Sequence, residues 1–531
     1  MPMRHARRVE LASVWLAGLL TLVACGIVVR SRAPVWARGA LLTAMIASGL
    51  AFARPRGARV TPLGPRVTHD EYVGSGACRS CHPSEHASWS RTYHRTMTQR
   101  GTPPIAITTG SHHMQGSWTE DSNGDLHMLP LVFARDEGRL IDRRDAFLEP
   151  PDAPQHDVRW SSNCIACHAT AGRPGIVDDE RTQTTVAELG IACEACHGPG
   201  RLHAERERNP LVRAFSGLRD AHIVNPTRLP PDRASAVCGS CHAYAFPRDE
   251  RAFLTNGYAD VFHPGDALEP SRIILTPEVL AKGTVKLDTD PRNLFWPDGT
   301  VRVGGREYNG MVLSACYARG DGERKITCMS CHSMHRSDPD DQLKDVQAAC
   351  VSCHTMPTDH THHAPASSGS ACVACHMPKT SYALRYAIRS HRIDVPDPAV
   401  AKPNACGLCH LDRTVTWTAS EIARMWGTRP DGSAADTTPA SVTGLLAADA
   451  AERVIWADAF GDRDAIAASG DDWEGQPLAA AENDPYAVIR FIARRSIQAY
   501  PRDGGKRELV TPQQIDALVA HRDNRDVYVA E

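Results

Sequence analysis

The chain has 531 residues, enough for two or three domains, and 59 basic against 62 acidic side chains give a formal charge of −3. That balance, with no basic block anywhere, argues against nucleic acid as a partner. Aromatic residues make up only 6% of the chain, low for a large conventional core, whereas 18 cysteines and 25 histidines stand out.

In chain order, residues 11–29 form an uncharged apolar run of membrane-spanning length, and residues 39–53 form a second, shorter one. Arg4, Arg7 and Arg8 precede the first run, Arg30, Arg32 and Arg38 separate the two, and Arg54, Arg56 and Arg59 follow. Positive charge alone therefore does not orient them. Residues 1–56 are expected to anchor the chain in a membrane through one or two spans. Two alternatives stand beside this. Ala51-Phe52-Ala53 has the form of a leader cleavage site, and Leu22-Val23-Ala24-Cys25 resembles a lipoprotein box, although the apolar run continues past Cys25.

Sixteen of the cysteines fall into eight copies of C-x-x-C-H. These are Cys78/Cys81/His82, Cys164/Cys167/His168, Cys193/Cys196/His197, Cys238/Cys241/His242, Cys328/Cys331/His332, Cys350/Cys353/His354, Cys372/Cys375/His376 and Cys406/Cys409/His410. The spacing is that of covalent haem attachment. Two thiols one helical turn apart add to the two haem vinyl groups, and the following histidine reaches the iron as its proximal ligand. Zinc ribbons require no histidine after each pair, a thioredoxin-like site requires one pair on a βαβ unit, and a disulfide framework would not repeat the histidine. Eight c-type haems are therefore expected. Cys25 and Cys316 remain, and Cys316 reads as a small buried side chain. Because such haems are attached outside the cytoplasm, residues 70 onward are expected to be exported. Two spans would then leave the Arg30 to Arg38 loop inside.

The first motif stands apart from the second. Asn123-Gly124, between the alternating segments Ser117 to Glu120 and Leu126 to Leu129, predicts a β-hairpin. A second insert, residues 243–327, reads as loops with a few short strands such as Thr300-Val301-Arg302-Val303. Cys328, Cys350 and Cys372 recur at a 22-residue period, too short for a unit to hold its own core. The expected fold is mainly α, packed on haem, with an octahaem domain over residues 70–412.

Each iron has a sixth position, and seventeen histidines lie outside the motifs. The candidates for distal ligands are His94, His113, His203, His335, His363 and His391, with His86, His156, His222 and His263 in reserve. Met97, Met114 and Met377 read as core fillers. Past His410 the composition turns Ala-rich. Thr418 to Glu421 predicts a capping box opening a helix that stops at Gly427. Asp484-Pro485 predicts a helix start, with Val488, Ile489, Ile492, Ala493 and Ser496 on one face, and Thr511-Pro512-Gln513-Gln514 predicts another. Residues 415–531 are thus expected to be helical and repeat-like, either a small solenoid that docks a protein partner or a cap over the last haems.

Several segments resemble bacterial multihaem cytochromes: Tyr72-Val73-Gly74-Ser75 before Cys78, Cys193-Glu194-Ala195-Cys196-His197-Gly198-Pro199-Gly200, Cys372-Val373-Ala374-Cys375-His376-Met377-Pro378, His391 before Pro396, and Pro403-Asn404-Ala405-Cys406. They are similar to the group that includes octahaem hydroxylamine oxidoreductases and nitrite or tetrathionate reductases, and the C-terminal helices resemble HEAT-like repeats. The resemblance implies periplasmic redox function on a haem-packed fold. It transfers no activity: the C-x-x-C-K motif of many octahaem nitrite reductases is absent, and no tyrosine here matches the cross-linking one of hydroxylamine oxidation. The leading expectation is electron transfer at the periplasmic face of the inner membrane, between a membrane-associated donor and a periplasmic partner, with no residue assigned a catalytic role. The alternative is an oxidoreductase of small nitrogen or sulfur compounds acting at one five-coordinate haem.

Overall fold

The computed structural model describes residues 66–67 and 71–527, apart from 155, 179–180, 210–211, 213–219, 221, 288, 303, 336–341, 358, 383, 428–435 and 501–506, together with a few positions between 34 and 43. The two apolar N-terminal runs fall almost wholly outside these residues. Among the described residues, no helix is long and apolar enough to cross a membrane. Residues 62–531 form one compact unit.

The fold is mostly helical with short strands, but one sheet is larger than the sequence suggested. Strands β1 (Thr98–Arg100), β2 (Ile107–Thr109), β3 (Met114–Glu120), β4 (Leu126–Ala134) and β5 (Arg139–Asp142) make an antiparallel meander in that order. The β3–β4 turn is the expected hairpin. Asp121 Oδ1 accepts the backbone N–H groups of Asn123 and Asp125, both at 2.9 Å, and Gly124 takes φ 85°, which a residue without Cβ adopts freely. Alternate residues of β3, Met114, Gly116 and Trp118, are buried. Ile107, Trp118 and Leu126 pack with Trp160 and Ile165, so the sheet backs the second motif directly.

Between the motifs, the longest helix is α1 (Pro231–His242), which ends in the fourth motif, and α2 (Glu307–Leu313) packs against it. A Cβ at Gly239 would lie 2.5 Å from the Tyr308 ring, which only a glycine permits. A hairpin of β6 (Lys379–Tyr382) and β7 (Tyr386–Arg389) follows the seventh motif.

The C-terminal region consists of α3 (Val415–Trp426), α4 (Ala440–Leu446), α5 (Ala450–Phe460), α6 (Arg463–Ser469), α7 (Gly475–Ala481), α8 (Ala487–Ile497) and α9 (Pro512–Ala520). Gly427 caps α3 in the left-handed conformation, as its position predicted. The helix starts earlier than expected, because Thr414 and not Thr418 accepts the capping bond, from the Trp417 N–H. Likewise α8 begins after Tyr486, and Asp484 serves as a buried ion partner that also accepts the Tyr486 N–H. The apolar face of α8 is the predicted set Val488, Ile489, Ile492, Ala493 and Ser496. The Thr511/Gln514 capping box opens α9.

A solenoid confines contacts to neighbours along the chain. Here α4 instead meets α5, α7 and α9, and one core contains Val442, Leu445, Val454, Phe460, Leu478 and Ile489. Leu148, Trp296, Leu408 and Leu411 belong to that core, so the helices bury themselves against the motif-bearing region.

The core encloses a fully buried ion pair, Arg453 Nε to Asp484 Oδ2 at 2.9 Å, approached off the hydrogen-bond axis, with Arg522 at 3.4 Å. Removing one partner strands the other charge in a dry site. Asp484→Ala is expected to destabilise the C-terminal helices by about 3–5 kcal/mol, measured by denaturant unfolding.

Burial, reinforced by the nearby Asp449 charge, pushes the Glu452 carboxyl up to about 7 despite the hydrogen bond it accepts from Trp456 Nε1. The folded pKa lies above the unfolded one, so the folded state holds the extra proton. The stability this gives is complete below the unfolded carboxyl range and is lost as pH rises toward 7. Glu452→Gln should therefore slow amide exchange in α5 relative to the parent protein at pH 8 and leave it unchanged at pH 4.

Candidate haem-binding centres

The motifs are built as single helical turns. The backbone N–H of the motif histidine bonds to the carbonyl of the first cysteine at 2.9 Å for His82, 3.0 Å for His332 and His354, and 2.8 Å for His410. That i to i+4 closure sets both cysteines and the histidine on one turn. None of the described motif cysteines forms a disulfide.

The motif cysteines differ in how far the polypeptide covers them. Most are half-buried, whereas Cys81 and Cys353 are exposed. The turn that carries Cys81, Arg79 to Cys81, lies at the surface, and the Cys81 Sγ sits 3.8 Å from the hydroxyl of Ser80, itself exposed. Its motif partner Cys78 is on the inner side of the same turn, against Cys193. Thioether formation depends on the spacing within the turn and not on burial, so Cys81 retains the geometry for attachment.

Six motif histidines stand opposite a second histidine. The ring centroids are 6.3 Å apart for His82 and His203, 6.2 Å for His242 and His94, 6.3 Å for His197 and His335, 6.2 Å for His332 and His391, 6.2 Å for His376 and His360, and 6.3 Å for His410 and His363. Two imidazoles sharing one metal, each with a metal–nitrogen bond of about 2 Å and its ring centre about 1 Å beyond, fall just over 6 Å apart. Direct ring stacking would bring them much closer, as the 3.7 Å between His112 and His113 illustrates. The pairs thus fit a six-coordinate iron between each two rings. Burial among other histidines pushes the pKa of His94 down to about 4, which keeps its ring in the neutral, ligating form.

Five of the six distal candidates, His94, His203, His335, His363 and His391, are brought to a motif histidine. His113 is not. Its ring stacks on His112 and, at 4.0 Å, on Tyr386 of β7, and its Nδ1 lies 3.3 Å from Asp136, which also accepts the Tyr386 hydroxyl. It ties the sheet to the β6–β7 hairpin. His360 takes the place that sequence reasoning gave to no residue. It lies in a loop with His362 and His363, and nothing in that cluster marks which ring faces which motif. His168 ends the short helix Ile165–His168, and His354 is exposed.

Carboxylates hold the motifs in place. Glu194, inside the third motif and buried, accepts the N–H groups of Val73, Gly74 and Gly200 at 2.9, 2.8 and 2.7 Å. Glu188 accepts the Ser75 N–H at 2.8 Å. Together they fix the segment leading into the first motif. His242 Nδ1 lies 2.9 Å from Glu307 Oε2 on α2, and His203 Nδ1 lies 2.8 Å from Asp220. His203, Glu207 and Asp220 are close enough to resemble a small metal site, and the Nδ1 of His203 is the nitrogen that Asp220 takes. The carboxylate orients the ring.

Motifs distant in sequence also touch. Cys78 lies against Cys193, Cys167 against Cys241, Cys238 against Cys328, and Cys350 against Cys372. Cys331 is within electrostatic reach of Cys350, and Cys375 of Cys406.

Residues 144–198, spanning the second and third motifs, match the family Cytochrome c554 and c-prime, and residues 321–357, spanning the fifth and sixth, match the doubled CXXCH motif. Among solved structures, the chain is similar to the outer cell wall cytochrome OcwA, with TM-score 0.50 and 17% identity over 81% of this chain and 99% of that one. It is also similar to an undecaheme cytochrome from the S-layer of Carboxydothermus ferrireducens, with TM-score 0.37 and 17% identity over 87% of this chain and 72% of that one. No curated protein matches the sequence. The motifs, both family matches and the OcwA-like fold place c-type haem binding and a multihaem cytochrome fold on this chain.

Helix α2 also supports the backbone that carries His391. Ser314, after its end, donates to the His391 carbonyl at 3.3 Å and accepts the Ile393 N–H at 2.9 Å. A Cβ at Gly310 would lie 2.8 Å from the Arg392 nitrogen, a backbone atom with nowhere to go. Gly310→Ala is expected to cost about 1–3 kcal/mol by overpacking. It should also convert the haem at Cys328/Cys331 partly to high spin, visible by optical spectroscopy as His391 is pushed out.

Proposed function

We propose that this protein is an electron-transfer cytochrome with eight c-type haems, six of them held between the histidine pairs described above. A c-type haem supplies one-electron chemistry between ferric and ferrous iron. The chain contributes closeness and order. Contacts between cysteines link the first motif to the third, the second to the fourth, the fourth to the fifth, and the sixth to the seventh. His335, three residues past His332, joins the third to the fifth. The electrostatic neighbours Cys331 and Cys350, and Cys375 and Cys406, close the remaining gaps. All eight motifs thus fall into one connected set, and this carries the reading, because a relay needs every centre beside another.

Export follows from the haem attachment chemistry, and the apolar runs at 11–29 and 39–53 support tethering at the periplasmic face of the inner membrane. A membrane-associated donor and a periplasmic acceptor fit that placement. The C-terminal helices act on this reading as a buttress for the last motifs, since their core includes Leu408 and Leu411 beside Cys409.

The test is haem quantification together with low-temperature electron paramagnetic resonance of the oxidised protein. Eight haems per chain are expected. His360→Ala and His363→Ala should each turn one low-spin haem high-spin, the first at Cys372/Cys375 and the second at Cys406/Cys409. Fewer than eight haems, or unchanged spin in both variants, overturns the proposal.

One observation favours a second reading, an oxidoreductase of small nitrogen or sulfur compounds. Among the described residues no second ring stands opposite His354, unlike the six paired motif histidines. Carbon monoxide binding to one reduced haem, lost when Cys350 and Cys353 are replaced by alanine, would carry it. A fully low-spin, carbon monoxide-silent protein excludes it.

A further inference from the structure

A ligating imidazole passes the character of its Nδ1 hydrogen bond to the metal through its other nitrogen. Among the described contacts, four of the paired rings direct Nδ1 at backbone carbonyls: His197 at Val224 (2.6 Å), His376 at Asp394 (2.8 Å), His363 at Thr361 (2.6 Å) and His391 at Arg389 (3.2 Å). Two direct it at a carboxylate, and those two differ. Asp220, facing His203, gives its other oxygen to Arg206 Nη1 at 3.1 Å, so a guanidinium offsets its charge. Glu307, facing His242, gives its other oxygen to the backbone N–H of Gly305 at 2.9 Å, and among the described residues its one ion-pair contact is His242 itself.

Glu307 is held firmly. The next residue, Tyr308, lies over Gly239 of α1. The one after, Asn309, accepts the Tyr244 N–H at 2.7 Å and donates to the Leu275 carbonyl at 2.8 Å. The carboxylate therefore meets the fourth motif from a fixed direction.

The same pair stands apart in a second, independent respect. The His242 and His94 ring planes cross at 63°, whereas the other five pairs lie at 25°, 27°, 20°, 4° and 30°. Near-parallel imidazoles split the two iron d orbitals that overlap them and give ordinary rhombic resonance signals. Steeply crossed rings leave those orbitals nearly degenerate and give a low-spin signal of large anisotropy.

We infer that Glu307 is a positioning residue that sets the haem between His242 and His94 at the lowest reduction potential among the haems held by paired histidines. The uncompensated carboxylate draws the His242 N–H proton toward itself, strengthens donation to the iron and favours its ferric state. The centre so tuned is in contact with the second and fifth motifs, through Cys241 beside Cys167 and Cys238 beside Cys328, so it stands between them as an uphill station. The inference rests on the two-histidine ligation proposed above.

The experiment is a potentiometric titration of the full-chain holoprotein followed by electron paramagnetic resonance. One large-anisotropy signal is expected, and it should be lost to reduction last among the low-spin signals. In Glu307→Gln, which removes the charge and keeps an acceptor, that signal's midpoint should rise while the rhombic signals stay in place. Asp220→Asn should shift its haem less. A wild-type large-anisotropy signal that is reduced early, or one whose midpoint Glu307→Gln leaves unmoved, overturns the role of Glu307 with the ligation intact. A high-spin fourth haem in the wild type, with no large-anisotropy signal, overturns the ligation instead. The wild-type titration decides even if the variant fails to take up haem.

Discussion

A histidine fixed one helical turn after a cysteine pair calls for a partner ring just over 6 Å away, and among the described residues the motif-bearing part of the chain supplies one to six of the motif histidines. The helices there are four or five residues long in several motifs, far below the length at which helix formation sustains itself. Apolar side chains form only small clusters around them. Several of these segments are held by remote partners: Glu194 and Glu188 hold the run into the first motif, and Glu307 holds His242. The large side-chain core lies elsewhere, among the C-terminal helices.

Where apolar packing is thin, polar ties take its place. Lys379 on β6 reaches Asp458 at 2.9 Å and Asp462 at 3.1 Å, and Asp458 also holds Arg495 at 2.7 Å, so the hairpin that leads to His391 is fastened to α5 and α8. Asp298 gathers Arg392 and Lys402 on either side of the same segment. Arg302, buried against Asp449, carries the second insert to the head of α5, and its carbonyl accepts the Thr380 and Ser381 hydroxyls at 2.8 and 2.7 Å. Buried charges of this kind add little net stability when complete, yet they fix one arrangement against its neighbours.

The attachment chemistry was legible because it is local: thiol spacing and the following histidine share one turn, and eight repetitions leave little else to explain them. How deep each thiol sits was not legible, and Cys81 and Cys353 lie at the surface although their motifs read like the others. The α8 face and the α9 cap were legible because periodicity and capping also act over a few residues. Distal partners are long-range choices. His94 and His391 stand out by their neighbours, but the loop of His360, His362 and His363 offers three rings within four residues, and only the fold decides that the first faces His376 and the third His410. The companions of His113, Asp136 and Tyr386, are 23 and 273 positions away and leave no local mark. Glu307 and Glu194 were invisible on similar grounds, since a glutamate becomes a ring-orienting or segment-holding group only by where it is folded. The start of α3 moved because Thr414 and Thr418 are both plausible caps, and Thr418 is buried within the helix.

The crossing pattern of the ring pairs bears on how such a chain is made. His203, His335 and His391 follow the motifs they face, whereas His94, His360 and His363 precede theirs. As the polypeptide emerges from its N-terminus, the first, third and fifth centres have their cysteines in hand long before their second ring exists, and the fourth, seventh and eighth find that ring already waiting. On the proposed ligation, covalent attachment, which needs only the local turn, can thus run ahead of coordination at the first, third and fifth motifs. On that ligation the fourth, seventh and eighth centres close as they appear, and the fifth waits for His391, which follows the β6–β7 hairpin.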